Sequence, residues 1–106
     1  MSADRYRVAN AQVVADQFRV ALSIARERGT LPRAIRSAKW VWQELARTPE
    51  KFGESRYYLP NAALHVRIAF VGPLFVLFGY YESARIVFVR KIGYSRRRPE
   101  PPRLNP

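Results

Sequence analysis

The stretch "VRIAFVGPLFVLFGYYESARIVFVRKIGY", residues 66–94, decides the fold, because turn residues divide it into three short apolar runs. Gly72 and Pro73 mark the first turn, and "ESAR", residues 82–85, marks the second. These signals predict strands at 64–71, 74–81 and 86–92, joined as an antiparallel meander. The middle run, "LFVLFGYY", carries no charge. We therefore expect it to be the central strand, covered on at least one face.

Two helical patterns precede the meander, from about Asn10 to Arg28 and from Leu31 to Arg47. Apolar residues recur in both at the spacing of an amphipathic helix. Gly29 is expected to end the first helix and Thr30 to cap the second, which predicts an antiparallel helical hairpin. The apolar face of the first helix is predicted at Val14, Phe18, Leu22 and Ala25, and that of the second at Ile35, Ala38, Trp42 and Leu45.

Two weaker signals flank the helices. "RYRVA", residues 5–9, predicts a short first strand, whereas "PEKFGESRYYLPN", residues 49–61, is rich in turn residues and is predicted to be a connector. The complete prediction is an α+β fold. The helical hairpin packs on a small antiparallel sheet made of the N-terminal strand and the three-stranded meander.

Composition limits the chain to one small domain of 106 residues, predicted over 1–94, followed by a disordered, basic and proline-rich tail at 95–106. With no cysteine and one histidine, the sequence offers no disulfide, thiolate metal site or multi-histidine site, and no cofactor is expected. The N-terminal residues lack the apolar run of a signal peptide, and Arg, Lys, Gly or Pro interrupts every longer apolar run well short of a membrane span, so we expect a cytoplasmic protein.

The charge balance is strongly basic. Nineteen Lys and Arg residues oppose eight Asp and Glu, for a net charge of +11. Sixteen of these cations are arginine, whose guanidinium suits phosphate oxygens. The last twelve residues contribute four Arg and one Glu, or +3, which leaves +8 on residues 1–94. The folded part should therefore attract a polyanion, either a nucleic acid or an acidic protein.

This order of elements resembles the RelE/ParE superfamily of toxins from bacterial type II toxin–antitoxin systems. The likeness is also local: "ARTPEKFGESRYYL" followed by "LHVRIAFVGPLFVLFGYYESARIVFVRKI" is similar to the family pattern VRI…VGP.RVLF…E.ARIV.V..I. It covers residues 11–94 as architecture and 49–92 as sequence pattern. These positions are mostly turn and core residues, so they indicate fold more strongly than activity.

The resemblance implies two kinds of toxin. RelE-like members are ribosome-dependent endoribonucleases that cleave messenger RNA without a metal, whereas ParE-like members inhibit DNA gyrase through a protein contact. A third interpretation is a basic nucleic-acid-binding module on the same fold, without toxin activity. Either toxin would have a small acidic antitoxin as its partner, and their association should weaken with salt.

The nuclease interpretation implies a catalytic set of cations and proton-transfer groups near the sheet. Nuclease-branch members carry Arg and Lys on the sheet and a Tyr or His near the C-terminus. The matching candidates here are Arg67, Arg90 and Tyr94, with His65 as a further acid–base candidate. Strand alternation predicts that Arg90 and Lys91 lie on opposite faces. Candidate nucleic-acid contacts are Lys91, Arg96, Arg97 and Arg98, and no metal ligand is predicted.

Each candidate also has a structural interpretation. Arg90 and Lys91 suit an edge strand that resists aggregation, and Tyr94 suits packing at the end of the sheet. Arg67 is equally suited to an ion pair, and His65 to a partly buried strand position. The central strand has no arginine, although nuclease-branch members commonly place a catalytic cation there. This difference and the basic, proline-rich tail weaken the nuclease interpretation, which remains the first of the three hypotheses.

Overall fold

The computed structural model describes residues 5–95 and confirms an α+β fold in which two helices pack on one sheet. Its helices and strands, in chain order, are β1 Arg7–Asn10, α1 Gln12–Glu27, α2 Leu31–Arg47, β2 Glu54–Leu59, β3 Leu64–Val71, β4 Leu74–Tyr81 and β5 Ile86–Tyr94. Short 3₁₀ turns at Pro49–Lys51 and Pro60–Ala62 flank β2. The predicted tail lies almost entirely outside the described residues.

The sheet has five strands in the order β1-β5-β4-β3-β2. β1 pairs parallel to β5, and the other neighbours pair antiparallel. The expectation of a purely antiparallel, four-stranded sheet is therefore wrong: the sheet is mixed, and β2 lies inside the predicted connector. All six residues of β2 are exposed, so its sequence lacks the apolar alternation that reveals a half-buried strand.

The covered face of the sheet, as we call the side that packs on the helices, holds the main core. Val76, Phe78 and Val87 are fully buried there, and Val41 and Leu45 of α2 pack against them. Phe52, just before β2, stacks on Phe78 with 5.8 Å between ring centroids. The prediction that β4 is central and covered is thus confirmed.

Helix α2 is rotated relative to its predicted orientation. Its buried positions are Ala34, Ser37, Ala38, Val41 and Leu45, whereas Ile35 is 41% exposed. Trp42 is half-buried and packs against the edge of the core, as predicted in part. Small residues bring the helix close to the sheet, since a Cβ atom added at Gly72 would collide with the Ser37 hydroxyl.

Helix α1 lies beside the part of β5 that extends beyond β1. β1 pairs only with Ile86 to Val89, and beyond that point the N–H of Ile92 donates to the Gln17 side-chain oxygen at 3.1 Å. A helical side chain thus replaces the missing strand partner. As predicted, Gly29 follows the C-terminal end of α1 as its C′ residue, with φ +76°. Thr30 forms no side-chain cap on α2.

Candidate binding surface

Arg67 is fixed by backbone carbonyls on the covered side of the sheet. Its neighbour across the strands is Phe78, which identifies that side. The guanidinium donates from Nε to the Phe52 carbonyl at 2.8 Å and from Nη2 to the Gly53 carbonyl at 2.7 Å. Of the two expected roles, phosphate contact or ion pair, neither describes these bonds. Arg67 instead fastens the start of β2 to β3.

His65 lies on the same face as Arg67, as alternation predicts, but between two aromatic rings. Its ring centroid is 4.4 Å from that of Tyr58 and 4.7 Å from that of Tyr80, in a stack that crosses β2, β3 and β4. Burial raises the pKa of the Tyr80 phenol, although the Arg67 guanidinium opposes this. A hollow of about 270 Å³ beside the stack is also lined by Glu82 and Ser83.

Tyr94 is half-buried at the far end of the sheet, where its hydroxyl lies 3.2 Å from the Thr30 hydroxyl. The Arg28 guanidinium lies 5.6 Å from the centre of its ring. Tyr94 pairs with Leu74, whereas Arg67 pairs with Phe78. Four residues along β4 correspond to roughly 13 Å. The structure therefore does not bring Tyr94 and Arg67 together.

Arg90 lies in a β-bulge. Phe78 pairs with Val89 and Leu77 pairs with Lys91, so Arg90 has no opposite residue in this ladder. The extra residue shifts the register so that Lys91 pairs with Leu77, and the strict alternation on which the prediction of opposite faces for Arg90 and Lys91 depended is interrupted here. Both are exposed, and Lys91 pairs with Leu77 on the side of the sheet opposite the covered face. We call this side the open face. The predicted contacts Arg96, Arg97 and Arg98 lie outside the described residues.

The open face is apolar although neither helix covers it. Its exposed large side chains include Phe70 at 44%, Phe88 at 40% and Tyr57 at 49%. In residues 5–95, the buried residues of α1 and α2 cluster with covered-face residues of the sheet and with none of these. An apolar surface of this kind, with cations beside it, is typical of a protein-binding site.

A groove runs between α1 and the open face. Val13 and Val20, which are 54% and 58% exposed, form its helical wall together with Ile24. Phe75, Lys91 and Gly93 are among the residues of its sheet wall, and its volume is about 370 Å³. We call it the helix–sheet groove.

A second hollow of about 370 Å³ shares Val13 with the helix–sheet groove. It extends over Gly79 toward Phe88, with Arg90 at its side. The two hollows together form a long apolar depression that carries both cations of the bulge.

Asp16, a polar residue that lines the helix–sheet groove, is bonded to two neighbours on α1. Asp16 accepts a short hydrogen bond from the Arg19 guanidinium and another from Gln12 at 3.3 Å. The Arg19 bond, which is the larger cause, lowers the pKa of the Asp16 carboxyl. Asp16 is thus charged at neutral pH and already paired, so it does not offset Arg90 and Lys91.

Sequence reasoning missed this groove. Val13, Val20 and Ile24 are spaced i, i+7 and i+11, a second apolar stripe beside the buried one, and that stripe was visible in the sequence. Within residues 5–95, no group of three His, Asp or Glu side chains is placed to hold a metal. Neither described helix is long and apolar enough to cross a bilayer.

No protein-family model, curated protein or solved structure matches this chain. The RelE/ParE resemblance therefore depends on the residue pattern and on the order of elements alone.

Proposed function

We propose that this chain is a RelE/ParE-like toxin that acts through a protein contact rather than by cleaving RNA, and that its binding site is the helix–sheet groove. The observation that carries the proposal is the groove itself: an uncovered apolar depression with Lys91 in its wall and Arg90 in the adjoining hollow. Apolar surface supplies affinity, and the two cations supply specificity for an acidic partner.

The arrangement of the predicted catalytic residues gives less support to the nuclease. Arg67 and His65 lie on the covered side, Arg90 lies in the bulge of β5 beside the second hollow, and Tyr94 bonds to Thr30 at the other end of the sheet. General acid–base chemistry needs its groups within hydrogen-bond reach of one substrate. Protein binding does not require these residues to converge on one substrate. It is therefore more consistent with their separation in the structure.

The partner we propose for the groove is an acidic, amphipathic helix of an antitoxin in the cytoplasm. Ile24 lies eleven positions after Val13 in α1, or roughly 17 Å along the helix axis, which accommodates about three turns of a docked helix. Apolar side chains would face Val20 and Phe75, and carboxylates would face Lys91. The cellular target of the free toxin, in this proposal, is a protein such as DNA gyrase.

Induced expression in growing bacteria tests the proposal. The wild-type chain should arrest growth while a translated message stays intact. Arg90→Glu/Lys91→Glu should relieve the arrest, because the exchange places two anions where we expect acidic groups of the target. Arg26→Glu/Arg56→Glu, an equal change in charge at exposed positions away from the groove, should still arrest growth.

Other outcomes would contradict specific parts of the proposal. A message cut at ribosomal positions would support the nuclease instead, especially if Tyr94→Phe prevented the cleavage. Equal relief by both double exchanges would show that net charge, not the groove, determines the arrest. Normal growth with the wild-type chain would favour a basic module without toxin activity.

A further inference from the structure

The outer surface of α2 is a second basic region, on the side of the helix that faces away from the sheet. The α2 basic face, as we call it, consists of exposed residues at helical spacing: Arg33, Arg36, Lys39, Trp40 and Arg47. At 3.6 residues per turn these five residues fall within about 120° of arc. The buried residues of α2, among them Val41 and Leu45, occupy the opposite side.

Little negative charge opposes these cations. Glu44 is the one acidic residue in α2, and its carboxylate lies 4.0 Å from Arg47 and accepts a hydrogen bond from Thr48 at 3.1 Å. Among residues 5–95, no carboxylate lies within ion-pair distance of Arg33, Arg36 or Lys39. The middle of the helix therefore carries three uncompensated positive charges.

Trp40 lies among these cations and is 50% exposed, whereas the nearby Trp42 is half-buried against the core. Trp40 lies one helical turn from Arg36, a spacing of about 5–6 Å between Cβ atoms. Its ring is a large apolar plane on an otherwise polar surface, with guanidinium groups on either side. An exposed aromatic ring between arginines is the arrangement by which proteins stack an unpaired base and hold its phosphates.

The alternative anionic partner, a membrane surface, agrees less well with the structure. A helix that lies on a bilayer buries its apolar face in the lipid. In α2 that face is already packed against the sheet through Ala38, Val41 and Leu45. Trp40 and Ile35, which is 41% exposed beside the α2 basic face, are the large apolar side chains left for insertion.

We propose that the α2 basic face binds single-stranded nucleic acid, with Trp40 stacking on a base while Arg33, Arg36 and Lys39 contact phosphates. This site lies on the far side of the molecule from the open face, so both sites can be occupied together. The inference does not depend on the proposed toxin function. A chain without toxin activity would retain it.

Fluorescence anisotropy of the purified full chain with a labelled oligouridylate of about twelve nucleotides tests the proposal. Arg33→Gln/Arg36→Gln/Lys39→Gln should weaken binding at least about tenfold at low salt. It should also reduce the slope of log affinity against log salt by about 2, since each lost phosphate contact to a single strand contributes about 0.7. Trp40→Ala should weaken binding about tenfold and leave the salt slope unchanged.

The matched control is Arg26→Gln/Lys51→Gln/Arg56→Gln, which removes the same charge from exposed positions outside α2. It should retain most of the affinity. Equal losses in the two triple variants would overturn the site, because binding would then follow net charge alone. Unchanged affinity in Trp40→Ala would overturn the stacking role.

A duplex of the same length and anionic vesicles complete the test. Trp40→Ala should leave duplex binding unchanged, because paired bases are not available to stack on the ring. Binding to phosphatidylserine vesicles in the absence of oligouridylate binding would overturn the proposal in favour of a membrane surface. Circular dichroism of every variant should match the wild type, since all the substituted side chains are exposed.

Discussion

The two faces of the central strands are almost equally apolar but have opposite environments. On the covered face, Phe78 is fully buried and stacks on Phe52. On the open face, Phe88 of the adjacent strand is 40% exposed and contacts Tyr81 edge-on, with 5.7 Å between ring centroids. The same residue type therefore stabilises the fold on one side and remains available to a partner on the other.

The difference shows how a small domain can divide one sheet between stability and binding. Two helices are enough to cover one face, and burial of that face accounts for the main core. On the other face, Val66 is buried, but exposed residues such as Phe70 and Phe88 gain less from folding. Substitutions on the two faces should thus affect different measurements.

The largest expected contrast is between Phe78→Ala and Phe88→Ala. Removing the buried ring should lower the free energy of unfolding by about 3–5 kcal/mol, because a cavity replaces it. Removing the exposed ring should cost about 1 kcal/mol, most of it from the contact with Tyr81. Denaturant unfolding of both variants measures the contrast, and equal losses would show that the open face is also part of the core.

Arg67→Ala comes next in size, at about 2 kcal/mol, because it leaves the Phe52 and Gly53 carbonyls without their charged donor. The loss should appear in the denaturant midpoint, while growth arrest persists at temperatures where the variant stays folded. Arg67→Lys should recover part of the stability. A variant with an unchanged midpoint but no toxicity would indicate a catalytic Arg67 instead.

Alkaline pH should weaken the covered face selectively. Burial raises the pKa of the Tyr6 and Tyr80 phenols, so the folded state favours their neutral forms. Their contribution to stability is complete below the ordinary tyrosine pKa of about 10 and is lost as pH rises through the higher folded-state value.

The measurement is the unfolding midpoint as a function of pH. Tyr80→Phe should reduce the alkaline loss, because it removes one of the groups that must ionise. Tyr57→Phe on the exposed strand β2 serves as the control and should leave the loss unchanged. If the two variants lose stability equally at alkaline pH, burial of Tyr80 is not the cause of that loss.

The smallest effect on stability is expected from Gly93→Ala. The added Cβ atom would approach a Phe75 ring carbon to 2.7 Å, and the half-buried ring on the open face can move aside. We expect a loss of stability within about 1 kcal/mol. Binding of an acidic partner helix should weaken much more, since the methyl group and the displaced ring narrow the helix–sheet groove. Titration calorimetry with such a peptide measures this, and unchanged affinity would place the partner elsewhere.

The sequence predicted the elements whose signals are local. Helix α2 has its predicted bounds, and β4 was recognised as central because it has no charge. β2 was missed because it is exposed throughout, so its pairing with β3 leaves no pattern in its own residues. The parallel pairing of β1 with β5 depends on contacts between opposite ends of the chain.

The candidate site was harder to predict because strand register determines it. Alternation correctly placed His65 and Arg67 together, but one bulge residue, Arg90, reversed the orientation of Lys91. The role of Arg67 depends on a loop fifteen residues earlier in the chain, where Phe52 presents its carbonyl. The sequence of β3 alone does not show that the Phe52 carbonyl lies within reach of the Arg67 side chain.

The hydrogen bond from Ile92 to Gln17 has a consequence for self-association. It occupies the Ile92 N–H in the part of β5 that extends beyond β1, and the paired edge strand on that side, β1, has only four residues. The other edge, β2, is six residues long and exposed throughout, with a bulge near Arg56. A molecule with one extended edge can pair with a second copy only once. Strand addition should therefore stop at a dimer instead of growing into a fibre.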